Sequence, residues 1–195
     1  LQFVITMLEK LGESFELCAP TGRAAKRMTE AAGCEARTIH RLLEYGYGES
    51  GFTRNQDNPI DTDVIIVDEM SMVDVSLFSA LLRALRPGTR LVLVGDPDQL
   101  PSVGAGNVFS DIIRSGVAKT VCLTEIFRQA RESLIVMNAH AVNRGELPDL
   151  SRKDKDFFFM RRRSPEALVQ TVQELCAVRL PKNMGIASCD IQVLS

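Results

Sequence analysis

Two runs of aliphatic residues constrain this chain more than anything else in it. VIIV at 64–67 leads directly into Asp68-Glu69, and LVLV at 91–94 leads into Gly95-Asp96. Near-continuous apolar runs of this length fit strands covered on both faces, as in parallel sheets held between helices. FELCA at 15–19 is a third such run, and it ends in Pro20-Thr21-Gly22. Open parallel sheets bind ligands beyond the carboxyl ends of their strands. Three strand ends carrying polar or acidic residues at that edge therefore predict a site there.

Helical segments separate these runs. LQFVITMLEKL closes on Gly12, RAAKRMTEAA on Gly33, and NVFSDIIRS on Gly116, each glycine suited to a left-handed cap. Thr38 is placed to cap IHRLLEY, Asp74 to cap VSLFSALLRAL before Pro87-Gly88, and Ser164 to cap a helix with Pro165 at its first position. ESLIVMNAHAVNRG adds a longer helix containing His140, read as a helix-face residue. GYGESGFTRNQDNPIDTD reads as a surface loop, and TVCL, DFFFM and DIQVL as weaker strands. The alternation predicts an α/β fold with a mostly parallel sheet.

Composition narrows the function classes. A net charge of −2 over 195 residues gives no bulk attraction to nucleic acid or membrane, so any such binding needs a local patch. The five cysteines are scattered without a C-x-x-C pair, which predicts reduced thiols in a cytoplasmic protein. No apolar run is long enough to cross a bilayer, and no signal peptide is visible. Arg161-Arg162-Arg163 reads as a solvated edge rather than a nucleic-acid patch, and Phe157-Phe158-Phe159 as core strand rather than a stacking platform.

The acidic pair has a direct chemical reading. Phosphoryl transfer to water needs a divalent metal on the phosphates and a group that orients or deprotonates the water. Asp68 at the strand end suits Mg²⁺, and Glu69, differently directed, suits the water. Gln99 can reach a terminal phosphate through its neutral amide. The plainer alternative is that Asp68-Glu69 only begins a loop.

APTGRAAKRM, TIHRLL, VIIVDEMSMVD, LVLVGDPDQLPSVGAG and LTEIFRQA occur in this order. Together they resemble the RecD-type superfamily-one DNA helicases, including the helicase parts of conjugative relaxases. The resemblance covers roughly residues 1–147. It implies RecA-like P-loop NTPase motor domains, ATP bound in the cleft between two of them, and single-stranded DNA across their top. Residues 1–123 would be the first motor domain, without its N-terminal strand and phosphate loop. Residues 124–195 would be a connecting helix and the start of the second.

Under this resemblance Asp68 coordinates Mg²⁺ and Glu69 is the catalytic base. Gly95, Asp96 and Gln99 form the nucleotide-facing motif, and Arg128 enters the cleft to stabilise transition-state charge. As a plain surface residue, Arg128 would instead pair with Glu125 or Glu132. Pro20, Thr21, Gly22 and Arg23 match the motif that holds the DNA backbone, and Thr38 and His40 match the next DNA-facing motif. His40 also reads as a structural helix residue. The implied partners are single-stranded DNA, junctions of single and double strand, and recombination-repair nuclease subunits. The implied polarity is 5′→3′.

One part is missing from the pattern, since the chain contains no Gly-Lys dipeptide and so no phosphate loop. The initial helix resembles the one that leads away from such a loop. Both ends of the chain read as cut, so the loop is expected upstream of Leu1. A fragment of this kind is expected to bind ATP poorly and not to unwind DNA by itself. The competing class is a RecA-like domain kept as a non-catalytic DNA-binding or assembly module. An ATPase acting on RNA is the third.

Overall fold

Four parallel strands in the order β2-β1-β3-β4 form the only sheet among the described residues. They are β1 (Phe15–Ala19), β2 (Ala36–Thr38), β3 (Val64–Val67) and β4 (Arg90–Leu93). The computed structural model describes residues 1–46, 51–123, 132–152 and 156–194. It divides the chain into two compact units, Leu1–Leu123 and Thr124–Ser195. The α/β expectation holds, and the strands predicted at 15–19, 64–67 and 90–93 are present.

Strand alternation sorts the core of the first unit onto the two faces of the sheet. Leu17, Val64 and Ile66 pack with Ile5 and Leu8 of α1 (Gln2–Leu11) and Met28 of α2 (Gly22–Ala32). Cys18, Ile65 and Val67 face the other way, toward Ile39, Leu81 and Phe109. Those residues come from α3 (Ile39–Leu42), α4 (Val75–Arg83) and α5 (Val108–Ser115). Ile65 and Ile66 are fully buried on opposite faces. Each contributes about 1.5–3 kcal/mol by leaving water. Burial, with a smaller push from Glu16, raises the Cys18 thiol to about 12, so it stays protonated and inert.

The predicted caps form. Thr21, Thr38 and Asp74 accept hydrogen bonds from the amides of Ala24, Arg41 and Leu77. Gly12, Gly33 and Gly116 close their helices in the left-handed conformation.

Other expectations are corrected. TVCL is not a strand: Val121 and Leu123 are 80% and 94% exposed, and no described residue pairs with them. β2 was not anticipated because its three residues, Ala-Arg-Thr, carry no apolar run; its pairing with β1 creates it. The predicted surface loop is only partly superficial. Ile60 donates its N–H to Ala84 O at 2.8 Å and is buried with Thr62.

The second unit holds α6 (Leu134–Asn143), α7 (Pro165–Glu174) and α8 (Leu180–Met184). Ser164 caps α7 as predicted, and Ser133 caps α6 with Asp156 accepting from the Leu134 amide. A π turn, Leu175–Arg179, joins α7 to α8 just before Pro181. Proline has no N–H to donate and crowds the preceding turn, and a wider turn relieves both problems. DFFFM and DIQVL form no strand, and Phe158 and Phe159 are 56% and 46% exposed, so the expected core strand is absent. A lone strand leaves its backbone groups unpaired, and no described residue of this unit offers it a ladder. Arg162 donates to Thr171 Oγ1, and Arg161 to Arg163 lie exposed as expected of a solvated edge.

Candidate functional site

The parallel sheet brings the predicted strand ends into one row. Ala19 is registered with Thr38 across β1 and β2, Cys18 with Val67 across β1 and β3, and Val67 with Leu93 across β3 and β4. The residues just past these ends, Pro20-Thr21, Asp68-Glu69 and Gly95-Asp96, therefore emerge side by side at the carboxyl edge, with Thr38 at the end of the row.

Asp68 extends β3 by donating its N–H to Cys18 O at 2.9 Å. It is half-buried, and its Oδ1 accepts the Glu69 amide at 2.9 Å. On the face shared with α1, Asp68 lines a cavity of about 100 Å³ with Ile66, Val92, Val94, Leu1 and Val4. Leu1 and Val4 thus lie near Asp68 on this face. No cluster of three or more potential ligand side chains occurs among the described residues. Asp68 offers one carboxylate at the strand end, the kind of donor that Mg²⁺ takes together with waters and phosphate oxygens. The donor set at Asp68 fits such an ion and does not form an all-protein cage.

Glu69 adopts φ 53 and ψ 41, the left-handed region. A non-glycine residue pays about 1–2 kcal/mol there, and such residues cluster at functional sites. The next residues, Met70–Met72, form a single 3₁₀ turn. Met70 donates its N–H to Val94 O at 2.9 Å, which fastens this turn to the end of β4.

Gly95 is placed by the same contact. A Cβ there would lie 3.1 Å from Met70 N, 3.3 Å from Ser71 N and 3.2 Å from Phe109 Cε1. Asp96 accepts the Asp98 amide at 2.9 Å through Oδ1, and its carbonyl accepts from Gln99 N at 3.3 Å. This turn presents Gln99 on the surface. Downstream, Val75 donates to Ala105 O at 3.1 Å, and Ser102 Oγ donates to Gly104 O at 3.0 Å. Gly104 abuts Asp74 and Gly106 abuts Val75.

Pro20 and Thr21 are half-buried, while Gly22 and Arg23 are exposed at the start of α2. His40 is exposed on α3 and packs its ring against Tyr45 and Phe52. Arg128 lies outside the described residues. Sequence reasoning missed three features: the strained backbone of Glu69, the buried Ser71 hydroxyl without a partner, and the packing role of Gly104. Only the two glycines of SVGAG hinted at the last of these.

The sheet, its covering helices and the acidic strand end have the architecture of a RecA-like P-loop NTPase domain. The Pif1 helicase of Candida albicans is similar, with a TM-score of 0.52 at 26% identity, covering 90% of this chain and 47% of that one. Pif1 from Bacteroides, in complex with ADP-AlF3 and ssDNA, shares the fold at 21% identity and a TM-score of 0.51, over 93% of this chain and 50% of that one. The chain belongs to the AAA domain family, whose model matches residues 1–158, and within it to the RecD-like superfamily-one helicases. It is 46% identical over 145 residues to the ATP-dependent RecD2 DNA helicase of Deinococcus radiodurans, covering 74% of this chain and 20% of that protein. It is 40% identical over 147 residues to the RecBCD enzyme subunit RecD of Mycolicibacterium smegmatis, covering 67% of this chain and 26% of that one. The chain therefore spans about a fifth to a quarter of the length of these curated relatives. No described helix is long and apolar enough to cross a membrane.

Proposed function

We propose that this chain is part of the motor of an ATP-dependent DNA helicase. The motor couples ATP hydrolysis to 5′→3′ movement on single-stranded DNA and to unwinding at junctions, in recombination and repair in the cytoplasm. The observation that carries the reading is the parallel register that brings Asp68-Glu69 and Gly95-Asp96 side by side at the carboxyl edge of the sheet. Open parallel sheets bind ligands at that edge, and a carboxylate there offers a place for the metal that accompanies nucleotide.

In this reading Asp68 would hold Mg²⁺, which when bound would supply charge neutralisation on the phosphates. Glu69 orients the attacking water and accepts its proton. Gln99 contacts the terminal phosphate, with Gly95 and Asp96 shaping the turn that carries it. Arg128 supplies positive charge to the transition state. Pro20, Thr21, Gly22 and Arg23 hold the DNA backbone, joined by Thr38 and His40. Residues 1–123 belong to the first motor domain and 124–195 to the connection and start of the second. Recombination-repair nuclease subunits are candidate partners, because several relatives are named as RecBCD subunits.

The test is ATP hydrolysis by the full-length protein with and without single-stranded DNA, beside Glu69→Gln. Stimulation by DNA that disappears in the variant supports the motor. A rate indifferent to DNA removes the helicase reading, and no hydrolysis at all leaves the non-catalytic module.

A further inference from the structure

The aromatic residues are few, with two Tyr, nine Phe and no Trp, yet aromatic rings gather at one surface point next to the strand-end row. Tyr45 and Phe52 pair in an antiparallel bridge, with ring centroids 5.2 Å apart. The His40 ring meets Tyr45 edge-on at 5.9 Å and Phe52 at 5.7 Å. Phe52 packs on the core cluster that contains Ile39, Leu42 and Leu43, while Tyr45 remains 54% exposed.

The backbone fixes this arrangement. Tyr45 donates its N–H to His40 O at 3.0 Å, and Arg54 N–H reaches Leu43 O at 3.2 Å. The Glu44 carboxylate accepts from Arg54 at 2.7 and 2.9 Å. An exposed ring so held loses little freedom when a flat partner settles on it.

Phe52 also lines a groove of about 450 Å³ against α4, together with Arg54, Ser76, Ser79 and Arg83. The Arg83 side chain is exposed and makes no ion pair or hydrogen bond among the described residues. A stacking ring beside a groove with an uncommitted cation is the combination that binds single-stranded nucleic acid without sequence preference.

We propose that Tyr45, braced by His40 and Phe52, is a base-stacking position for single-stranded nucleic acid, and that the groove beyond Phe52 receives the adjoining phosphate at Arg83. This rests on the single-stranded DNA reading above and goes beyond it. It adds base contact to an interface otherwise made of backbone contacts, and it extends the interface past Thr38 along α4.

The test measures binding of the full-length protein to a fluorescent oligothymidine strand and to an abasic strand of the same length. Loss of the ring from Tyr45→Ala should weaken oligothymidine binding about 5- to 20-fold and leave abasic binding nearly unchanged. Tyr45→Phe should bind both strands like the original protein. Arg83→Ala should weaken both strands alike and lower the salt dependence by about one counterion. Equal weakening of both strands by Tyr45→Ala would overturn the proposal, as a local folding defect would explain it; so would an unchanged affinity. If the original protein binds neither strand, the DNA reading itself falls and this subsite falls with it. If it binds both strands equally, the DNA reading stands and the stacking position is wrong.

Discussion

Gly95 stands against the backbone of Met70, with room for no side chain: a Cβ would come within 3.1 Å of the Met70 nitrogen. That nitrogen already donates to Val94 O at 2.9 Å. The end of β4 and the turn just after Glu69 are therefore in direct contact. Gly95→Ala must shift one of them, at a cost of about 1–3 kcal/mol. The expected result is a lower urea midpoint with unchanged slope. In the full-length protein, ATP turnover should fall more than ATP affinity, because the turn that carries Glu69 moves. An unchanged midpoint and an unchanged turnover would show that the turn can yield freely.

Glu69 stores backbone strain at the position proposed for the base. Glu69→Gly should release about 1–2 kcal/mol and give back roughly 0.4–1 kcal/mol through the freer unfolded chain. A modest rise in stability with loss of hydrolysis is expected. Glu69→Gln keeps the strain, so its thermal midpoint should match the original while turnover drops about 10²- to 10⁴-fold. Thermal melts of the two variants, compared side by side, separate conformation from chemistry.

The sequence carried the frame of this region and not its details. Thr21, Thr38 and Asp74 were legible as caps because a short polar side chain before a helical pattern has one main use. VIIV was legible as a strand because no other element buries four consecutive aliphatic residues so economically in both directions, whereas LVLV forms a strand only to Leu93, is half-buried, and leaves Val94 43% exposed. The left-handed backbone at Glu69 was not legible, since it accompanies a long-range tie, the Met70 amide donating to Val94 O just past β4. Gly95 drew attention as part of a nucleotide motif, yet its neighbour in the structure is backbone. TVCL and DFFFM were over-read for the converse reason: apolar β-formers describe what a segment can do, while a strand also needs a neighbour to pair with.

Asp74 and Gly104 form the second contact between these loops. Asp74 caps α4 through Leu77 N at 2.8 Å, and a Cβ on Gly104 would lie within 2.8 Å of Asp74 Cβ. Asp74→Ala should cost about 0.5–2 kcal/mol through the lost cap. Gly104→Ala should cost at least as much, because it displaces the capping residue along with the loop. If the two effects are one and the same contact, the double variant will fall short of their sum. Denaturant unfolding of the three variants checks this.

Asp63 gives the first unit an acid-sensitive tie. Its carboxylate accepts from the Ser14 hydroxyl and amide at 2.7 and 2.9 Å and from Arg86 at 2.8 Å. These bonds, Ser14 foremost, hold its pKa below the ordinary 3.8. A depressed carboxylate stabilises the fold fully above its unfolded value, and the gain is lost as pH falls through the lower folded value. Asp63→Asn should therefore melt below the original protein at neutral pH. The gap should hold down to about pH 4 and close under stronger acid. A gap that is independent of pH would assign the effect to shape rather than charge.

The loop that carries Gln99 is tied at both ends to one short stretch of chain. Val94 O receives the Met70 amide before it, and Ala105 O receives the Val75 amide after it. Both ends of the loop are therefore tied to the segment from Met70 to Val75, whose first turn starts at Glu69. Under the function proposed above, the Gln99 side of the phosphate and the Glu69 side therefore shift together.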